Sequence, residues 1–506
     1  MIILALQLEK CSGCALMKNG EIIYSSSEER FTRVKSDSLF PKESIKSALK
    51  TTSIKASQID KILICSSEVT LYASLVNLYS SLTVSDQIKM MKEYWEPKLV
   101  YNKKVNFLYF LKDKIQYNRY PFNTKYAKIF KFLKKNYKIR INQNDQKKPF
   151  QSSNDALIVS DFFKNIISDL LKVDKKIIEH VDHHTCHAAY GFHASPIRND
   201  KTLIVTADAF GDYLSGSVSI YHKKSRTIKR VKKYSHKQLQ IARIYRFVTI
   251  YLKMLGDSHE YKLMGLAPYY SGPKREKVKK ILMKMQQLKG LEFRFNKKIK
   301  NIYFFLENNL NNFRFDHIAS GLQKFTEDLL VLWFERLVKK YKSSSVVFSG
   351  GTSMNVKANM EISKISKIKQ IFICGSGTDD TLPIGACYHW SEKRNIKTKP
   401  LINMYLGSKC DYKKDDLKIF SKYKIKKITN FNQVVKALIN HQIIAVCRGR
   451  AEMGQRSLGN RSILADPRKI DNVIKINKAI KQRDFWMPFA PVILDEYQKL
   501  LIKNPK

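Results

Sequence analysis

Three short apolar runs in this chain each stop at a turn of small residues, and two of these turns are also acidic. They are TLIVTADAFGD from Thr202, SSVVFSGGTSMN from Ser344 and IFICGSGTDD from Ile371, the first and last holding the acids. A run of this length bounded by turn signals reads as a buried strand. Such a turn presents backbone N–H groups that suit phosphate, and the two acidic turns add carboxylates that suit a counter-metal. Any one of these turns is equally an ordinary hairpin or strand-to-helix turn. Gly350-Gly351 is such a case, since small residues let a backbone approach either a nucleotide or its own neighbours.

HVDHHTCHAAYGFH, residues 180–193, holds five histidines: His180, His183, His184, His187 and His193. His183 and His187 are four apart, which stacks two imidazoles on one face of a helix. Neutral imidazole is a common ligand of divalent transition metals. Packed or capping histidines would give the same spacing. The acid turns at Asp208 and Asp379-Asp380 supply the missing oxygen donors, and together the segments hold the ligand types of one metal and nucleotide site.

With 506 residues the chain has room for two or more domains. No apolar run is long enough for a transmembrane helix. The opening MIILALQLEK lacks a basic leader and reads as a first strand. The eight cysteines are scattered, which fits a reducing cytoplasm better than a disulfide framework. The lone pair Cys11/Cys14 reads as small residues in a strand. The formal charge of +48 comes mostly from Lys spread along the chain. It reads as compositional bias with nonspecific anion affinity, not as a nucleic-acid site.

CALMKNGEIIYSSSEE reads as a hairpin turning at Asn19-Gly20. A helix is expected near 42–52, a strand at KILICSS, a basic and aromatic insertion over 85–150, and a helix over 154–172. Residues 394–402 read as a linker. Beyond it, the strand IIAVCRGR enters AEMGQRSLGNRSILADPR, where Arg448, Arg450, Arg456, Arg461 and Arg468 alternate with Gly449, Gly454 and Gly459. In a Lys-biased chain, guanidinium forks on a glycine-rich backbone point to a polyphosphate or carbamoyl phosphate site. No internal sequence repeat is obvious.

EERFTRVKSDSLFP, HHTCHAA, TADAFGD, EYKLMGLAPY, SGGTSMNVKAN, GTDDTLPIGA, GRAEMGQRSLGNRSILADPR and RDFWMPFAP occur in this order over nearly the whole chain. In these stretches the chain resembles the O-carbamoyltransferases of the NodU/CmcH type. The resemblance implies an α/β protein. Residues 1–393 would form an actin-like duplicated ATPase-type (ASKHA) domain, and residues 403–506 a truncated YrdC-like α/β domain. It implies a two-stage reaction in which carbamoyl phosphate and ATP give carbamoyl adenylate. The carbamoyl group then passes to a hydroxyl of a sugar or glycosylated metabolite. His183, His187, Asp208 and Asp379 match the metal motifs, with Fe²⁺ implied and Mn²⁺ or Zn²⁺ admitted by the donors. Lys262, Gly350, Gly351 and Asn355 match nucleotide-contact segments. Arg448, Arg456, Asn460 and Arg461 match the anion-binding run, with Arg456 given a catalytic role.

The chain departs from the family pattern in three places. Lys10 and Cys11 stand where a His-Asp pair is usual, and Ser36 where a His is usual. Glu28, Glu29 and His259 are the candidate replacements for the acceptor-side base. The chain also stops soon after MPFAP, so only part of the second domain is expected. Two further readings are a tRNA threonylcarbamoyltransferase-like enzyme, which the fused second region opposes, and a catalytically inactive nucleotide-binding fragment. The expected partner is a small-molecule or glycan acceptor, with a homodimer possible in form.

Overall fold

The computed structural model describes residues 1–38, 40–66, 83–105, 163–410, 421–425 and 428–502. Most of the stretch expected as an insertion, from residue 106 on, lies outside them. So does the start of the helix expected over 154–172, of which 163–171 is helical.

The chain opens as an antiparallel meander of β1 (Ile2–Gln7), β2 (Gly13–Lys18) and β3 (Glu21–Ser27). Asn19 and Gly20 have φ of 49° and 79°. Two positive values in succession are what a two-residue primed hairpin turn needs. The expected helix follows as α1 (Lys42–Thr52). Then β4 (Lys61–Cys65) pairs parallel with β1, and β5 (Ile178–Val181) parallel with β4. The sheet order is β3-β2-β1-β4-β5. Every residue of β1 and β4 is buried, which explains why IILALQ and KILIC read as nearly continuous apolar runs.

After α2 (His183–Ala194) the plan returns. A second meander runs through β6 (Thr202–Gly211), β7 (Leu214–His222) and β8 (Thr227–Ser235). Next come α3 (Ile241–Tyr251), α4 (Glu260–Leu266), the hairpin β9 (Gln286–Lys289) and β10 (Glu292–Phe295), and α5 (Phe315–Tyr341). β11 (Ser345–Ser349) then pairs parallel with β6. Past α6 (Val356–Ser363), β12 (Gln370–Ile373) pairs parallel with β11, and α7 (Leu382–Glu392) follows. The order is β8-β7-β6-β11-β12. Strand by strand the second sheet repeats the first, in order and in sense, which is the duplicated actin-like plan.

The helix after the last strand of each half, α2 or α7, packs on its counterpart. Gly385 permits the approach, because a Cβ there would stand 1.9 Å from the carbonyl oxygen of Cys186. His193 stacks on Tyr388 with ring centroids 4.6 Å apart. Under the second sheet, Phe325, Trp333 and Phe334 of α5 are fully buried. Each such side chain contributes about 1.5–3 kcal/mol. The Trp333 indole N–H donates to the Tyr234 hydroxyl at 3.0 Å. No helix among the described residues is long and apolar enough to cross a membrane.

Beyond residue 403, β13 (Ile444–Cys447) pairs antiparallel with β14 (Arg461–Leu464). Polar clamps join this region to the first. Arg450 donates to the carbonyls of Ile23 (2.7 Å) and Leu406. Arg30 donates to those of Gly454 (2.9 Å) and Glu452 (3.2 Å).

Candidate metal centre and the loops around it

Asp182 starts α2 by accepting the Thr185 backbone N–H at 2.7 Å, a side-chain N-cap. Arg230 also binds the Asp182 carboxylate. The cap places His183 in the first turn and His187 one turn on. The other histidines of the segment are engaged elsewhere. The Nδ1 of His180 lies 2.7 Å from the Ser66 carbonyl, that of His184 lies 2.9 Å from the Thr206 hydroxyl, and His193 stacks on Tyr388.

Asp208 lies where the pairing of β6 with β7 shifts between Ala207 and Gly211. Such an irregularity turns side chains out of the ladder. Asp379 opens the short turn between β12 and α7. The His187 Nε2 is 3.1 Å from Asp208 Oδ2 and 3.4 Å from Asp379 Oδ1. The His183 Nε2 is 3.8 and 3.6 Å from the same two oxygens. All four ligand atoms lie within 4.8 Å of one another. Both imidazoles are buried. Burial opposes their charging, but Asp379 and Asp208 outweigh it and push His183 up to about 10. His187 is raised by the same carboxylates against the same burial. Burial would raise the Asp208 carboxyl, yet His183 and His187 hold it well below the usual range.

These residues fit a divalent metal. The His183 Nε2 is buried without a hydrogen-bond partner, although two carboxylates face it. Two imidazole nitrogens with two carboxylate oxygens suit Fe²⁺, Mn²⁺ or Zn²⁺. The neighbouring Asp380 faces the other way and takes the hydroxyls of Thr378 (2.6 Å) and Ser376 (3.0 Å).

Glycines let the loops close on this cluster. A Cβ at Gly211 would stand 2.2 Å from the His183 ring. Gly350, at φ 91°, has the Ala207 carbonyl oxygen 2.3 Å from where a Cβ would be. The Gly351 N–H donates to Asp208 at 3.3 Å. Asn355 caps α6 through the Ala358 N–H at 3.0 Å and exchanges two amide hydrogen bonds with Gln323. Gly350 and Gly351 therefore border the centre, whereas Asn355 has its side chain occupied.

The candidate acceptor-side groups hold hydrogen bonds of their own. Both Glu28 oxygens accept backbone N–H groups at the start of α1, from Glu43 (3.0 Å) and Ser44 (2.8 Å). Glu28 is thus a buried helix cap, which corrects its expected role as a free base. Glu29 accepts the Ser36 N–H at 2.7 Å. His259 precedes α4 with its Nδ1 taking the Leu255 N–H at 3.1 Å. Burial, Lys262 and Lys35 lower it to about 4, so it is neutral at pH 7. Lys262 is ion-paired with Asp484 at 2.9 Å. Lys10 is 3.6 Å from Asp257. Cys11 and Cys14 are buried and do not reach the centre.

Residues 3–388 match the family model of the carbamoyltransferase N-terminus, and residues 435–506 that of the carbamoyltransferase C-terminus. The chain belongs to the carbamoyltransferase family. Among similar proteins, an uncharacterized protein of Methanocaldococcus jannaschii is 26% identical over 364 residues, covering 66% of this chain and 59% of the relative. An uncharacterized protein of Synechocystis sp. is 25% identical over 523 aligned residues, covering 96% and 74%. Nodulation protein NolNO of Sinorhizobium fredii is 25% identical over 338 residues, covering 64% and 48%. The matches thus span from about half to three quarters of these relatives' own lengths.

In the carbamoyltransferase C-terminal region the arginines separate by partner. Arg461 donates to the carbonyls of Arg448 (2.6 Å) and Asn460 (3.0 Å), and Asn460 Nδ2 to that of Arg450 (2.8 Å). Arg468 forks onto Asp466. Arg448 is exposed. Arg456 leaves the loop and lies 5.5 Å from the Tyr261 ring centroid in α4. Its neighbour Gln455 donates to Thr378 at 3.4 Å, beside the Asp379 turn.

Sequence reading missed three residues. Glu452 is buried and shapes the arginine loop by accepting N–H groups of Leu458, Asn460 and Arg461. Asp212 holds the His183 N–H at 2.6 Å. Glu9 follows β1, and burial pushes its carboxyl up to about 7, with His183 opposing and Asp379 and Asp212 adding to the rise. The D-x-x-T spacing of Asp182 and Thr185 was a readable cap signal; no local pattern marks Glu9 or Glu452.

Proposed function

We propose that the protein transfers a carbamoyl group from carbamoyl phosphate, with ATP, to a hydroxyl of a sugar or glycosylated metabolite. The observation that carries this reading is the His183, His187, Asp208 and Asp379 cluster in a member of the carbamoyltransferase family. The second region, read as part of a YrdC-like domain, forms carbamoyl adenylate: water cleaves carbamoyl phosphate to carbamate and phosphate, and the carbamate oxygen displaces pyrophosphate from ATP. The first region delivers the carbamoyl group to the acceptor, and AMP leaves. A divalent ion, iron by family resemblance, would be held by the four ligands and supply Lewis acidity towards the carbamoyl carbonyl or the adenylate phosphate.

The chain's own groups do the rest. Gly350 and Gly351 bring backbone against Asp208, where a phosphate can approach closely. Arg456 lies at the boundary of the two regions, where it can hold the adenylate's anionic groups. Glu9, at the end of β1 within electrostatic reach of His183 and Asp379, is the carboxyl proposed to take the acceptor hydroxyl's proton. Lys262, ion-paired to Asp484, ties α4 to the second region.

Reading the two half-reactions separately tests this. Arg456→Ala is expected to lose pyrophosphate release. His187→Ala is expected to lose metal and transfer while keeping its fold. Normal pyrophosphate release in the first variant, or unchanged metal content in the second, contradicts the assignment.

A further inference from the structure

The irregular stretch that delivers Asp208 also sets out aromatic side chains that the proposed reaction leaves unused. Phe210 is 45% exposed, two residues from a metal ligand. Tyr213 follows in the turn to β7, and His236 stands just past β8. The Phe210 ring is 5.3 Å from that of His236 and 6.1 Å from that of Tyr213, centroid to centroid. Tyr213 and His236 are 6.3 Å apart, and the His236 Nδ1 lies 3.1 Å from the Tyr213 carbonyl. The turn presses on the metal centre itself, since a Cβ at Gly211 would meet the His183 ring. Three rings lying side by side, with Phe210 the most exposed, suit the apolar face of a sugar ring.

Basic residues lie near these rings, and Arg243 acts electrostatically on His236. Arg246 Nε is 2.7 Å from Asp257, whose other carboxylate oxygen is 3.6 Å from Lys10 Nζ. Asp257 thus already serves two cations. Arg243, one turn before Arg246 on α3, is partly buried. Among the described residues no hydrogen bond or ion pair holds its guanidinium. Burial and Arg246 bring its pKa down to about 10, the mark of a cation short of counter-charge. Glu260 accepts the Asp257 N–H at 2.6 Å and takes no hydrogen bond from Arg243. A partly buried guanidinium without an anion is costly, and a bound anion relieves that cost.

We propose that Phe210, Tyr213 and His236 seat the ring of the acceptor, and that Arg243 binds a carboxylate or phosphate on it. The acceptor is then an acidic sugar. This rests on the carbamoyl-transfer reading of the metal centre and narrows its substrate class.

The test is equilibrium binding to the full chain at about 150 mM salt, where long-range attraction from the chain's net positive charge is screened. The probes are methyl β-glucuronide, glucose 6-phosphate and the neutral methyl β-glucoside. At least one anionic sugar is expected to bind at least tenfold more tightly than the glucoside, and the pair tells carboxylate from phosphate. Arg243→Gln is expected to erase most of that preference, Arg243→Lys to keep part of it, and Phe210→Ala to weaken all three sugars alike. Equal binding of neutral and anionic sugars, no binding of either anionic sugar, or a preference that survives in Arg243→Gln overturns the proposal. The assay contains neither ATP nor carbamoyl phosphate, so its failure is separable from failure of the transfer reading, which pyrophosphate release dependent on carbamoyl phosphate reports.

Discussion

At the residue scale, the centre depends on side chains that touch no metal. Gly211 is one. A methyl group there collides with the His183 ring, so Gly211→Ala is expected to weaken Mn²⁺ binding by tenfold or more, with the four ligands intact. Calorimetric titration of the two proteins checks this. Glu9 gives a pH prediction. A base must be ionised, so transfer is expected to fall as pH drops through about 7, or somewhat lower once a bound cation favours the carboxylate. Glu9→Gln should abolish that acid limb while sparing pyrophosphate release, as a pH profile of each half-reaction will show. The ligand types at the centre were legible because two imidazoles and two strand-end acids recur at recognisable spacings. The division of labour among five histidines was not. It is set by Ser66, Thr206 and Tyr388, which come from other strands and helices. Glu28 misled for the same reason: the N–H groups it caps lie 15 and 16 residues on.

At the scale of elements, the cap of α2 governs how two ligands are held. Burial would raise the Asp182 carboxyl, but Arg230 and Thr185 hold it well below the usual range. Its folded pKa is depressed, so its stabilisation is complete above the unfolded value near 4 and is lost as pH falls below it. Asp182→Asn is expected to cost about 1–2 kcal/mol at pH 7 and to remove that part of the acid sensitivity. Urea unfolding at pH 7 and pH 3 measures both. The crossing of α2 with α7 gives a second test. Gly385→Ala places a methyl group against a backbone carbonyl, and a loss of about 2 kcal/mol or more is expected from the same measurement. Strand positions were legible because buried strands in parallel pairing are apolar throughout. The extent of β6 was less so: Asp208 was read as its end, whereas pairing resumes at Gly211 beyond the irregularity.

At the scale of the molecule, the two sheets repeat one topology without an obvious sequence repeat, because strand order fixes where side chains are buried and not which apolar residue fills each place. The reach of the second region was the least legible feature. GQRSLGNRSILADPR announced an anion site, yet Arg450, Arg461 and Arg468 spend their guanidiniums on carbonyls or Asp466. Arg448 and Arg456 remain the arginines of that run open to a ligand. The clamp from Arg30 to Gly454 and Glu452 joins the two regions, so Arg30→Ala should slow carbamoyl transfer more than pyrophosphate release. Carbamoyl transfer through an adenylate is tested most directly by pyrophosphate release from the purified chain, supplied with ATP, carbamoyl phosphate and Fe²⁺ or Mn²⁺, with each omitted in turn. Release that requires carbamoyl phosphate is the predicted result; no release, or release indifferent to carbamoyl phosphate, contradicts it.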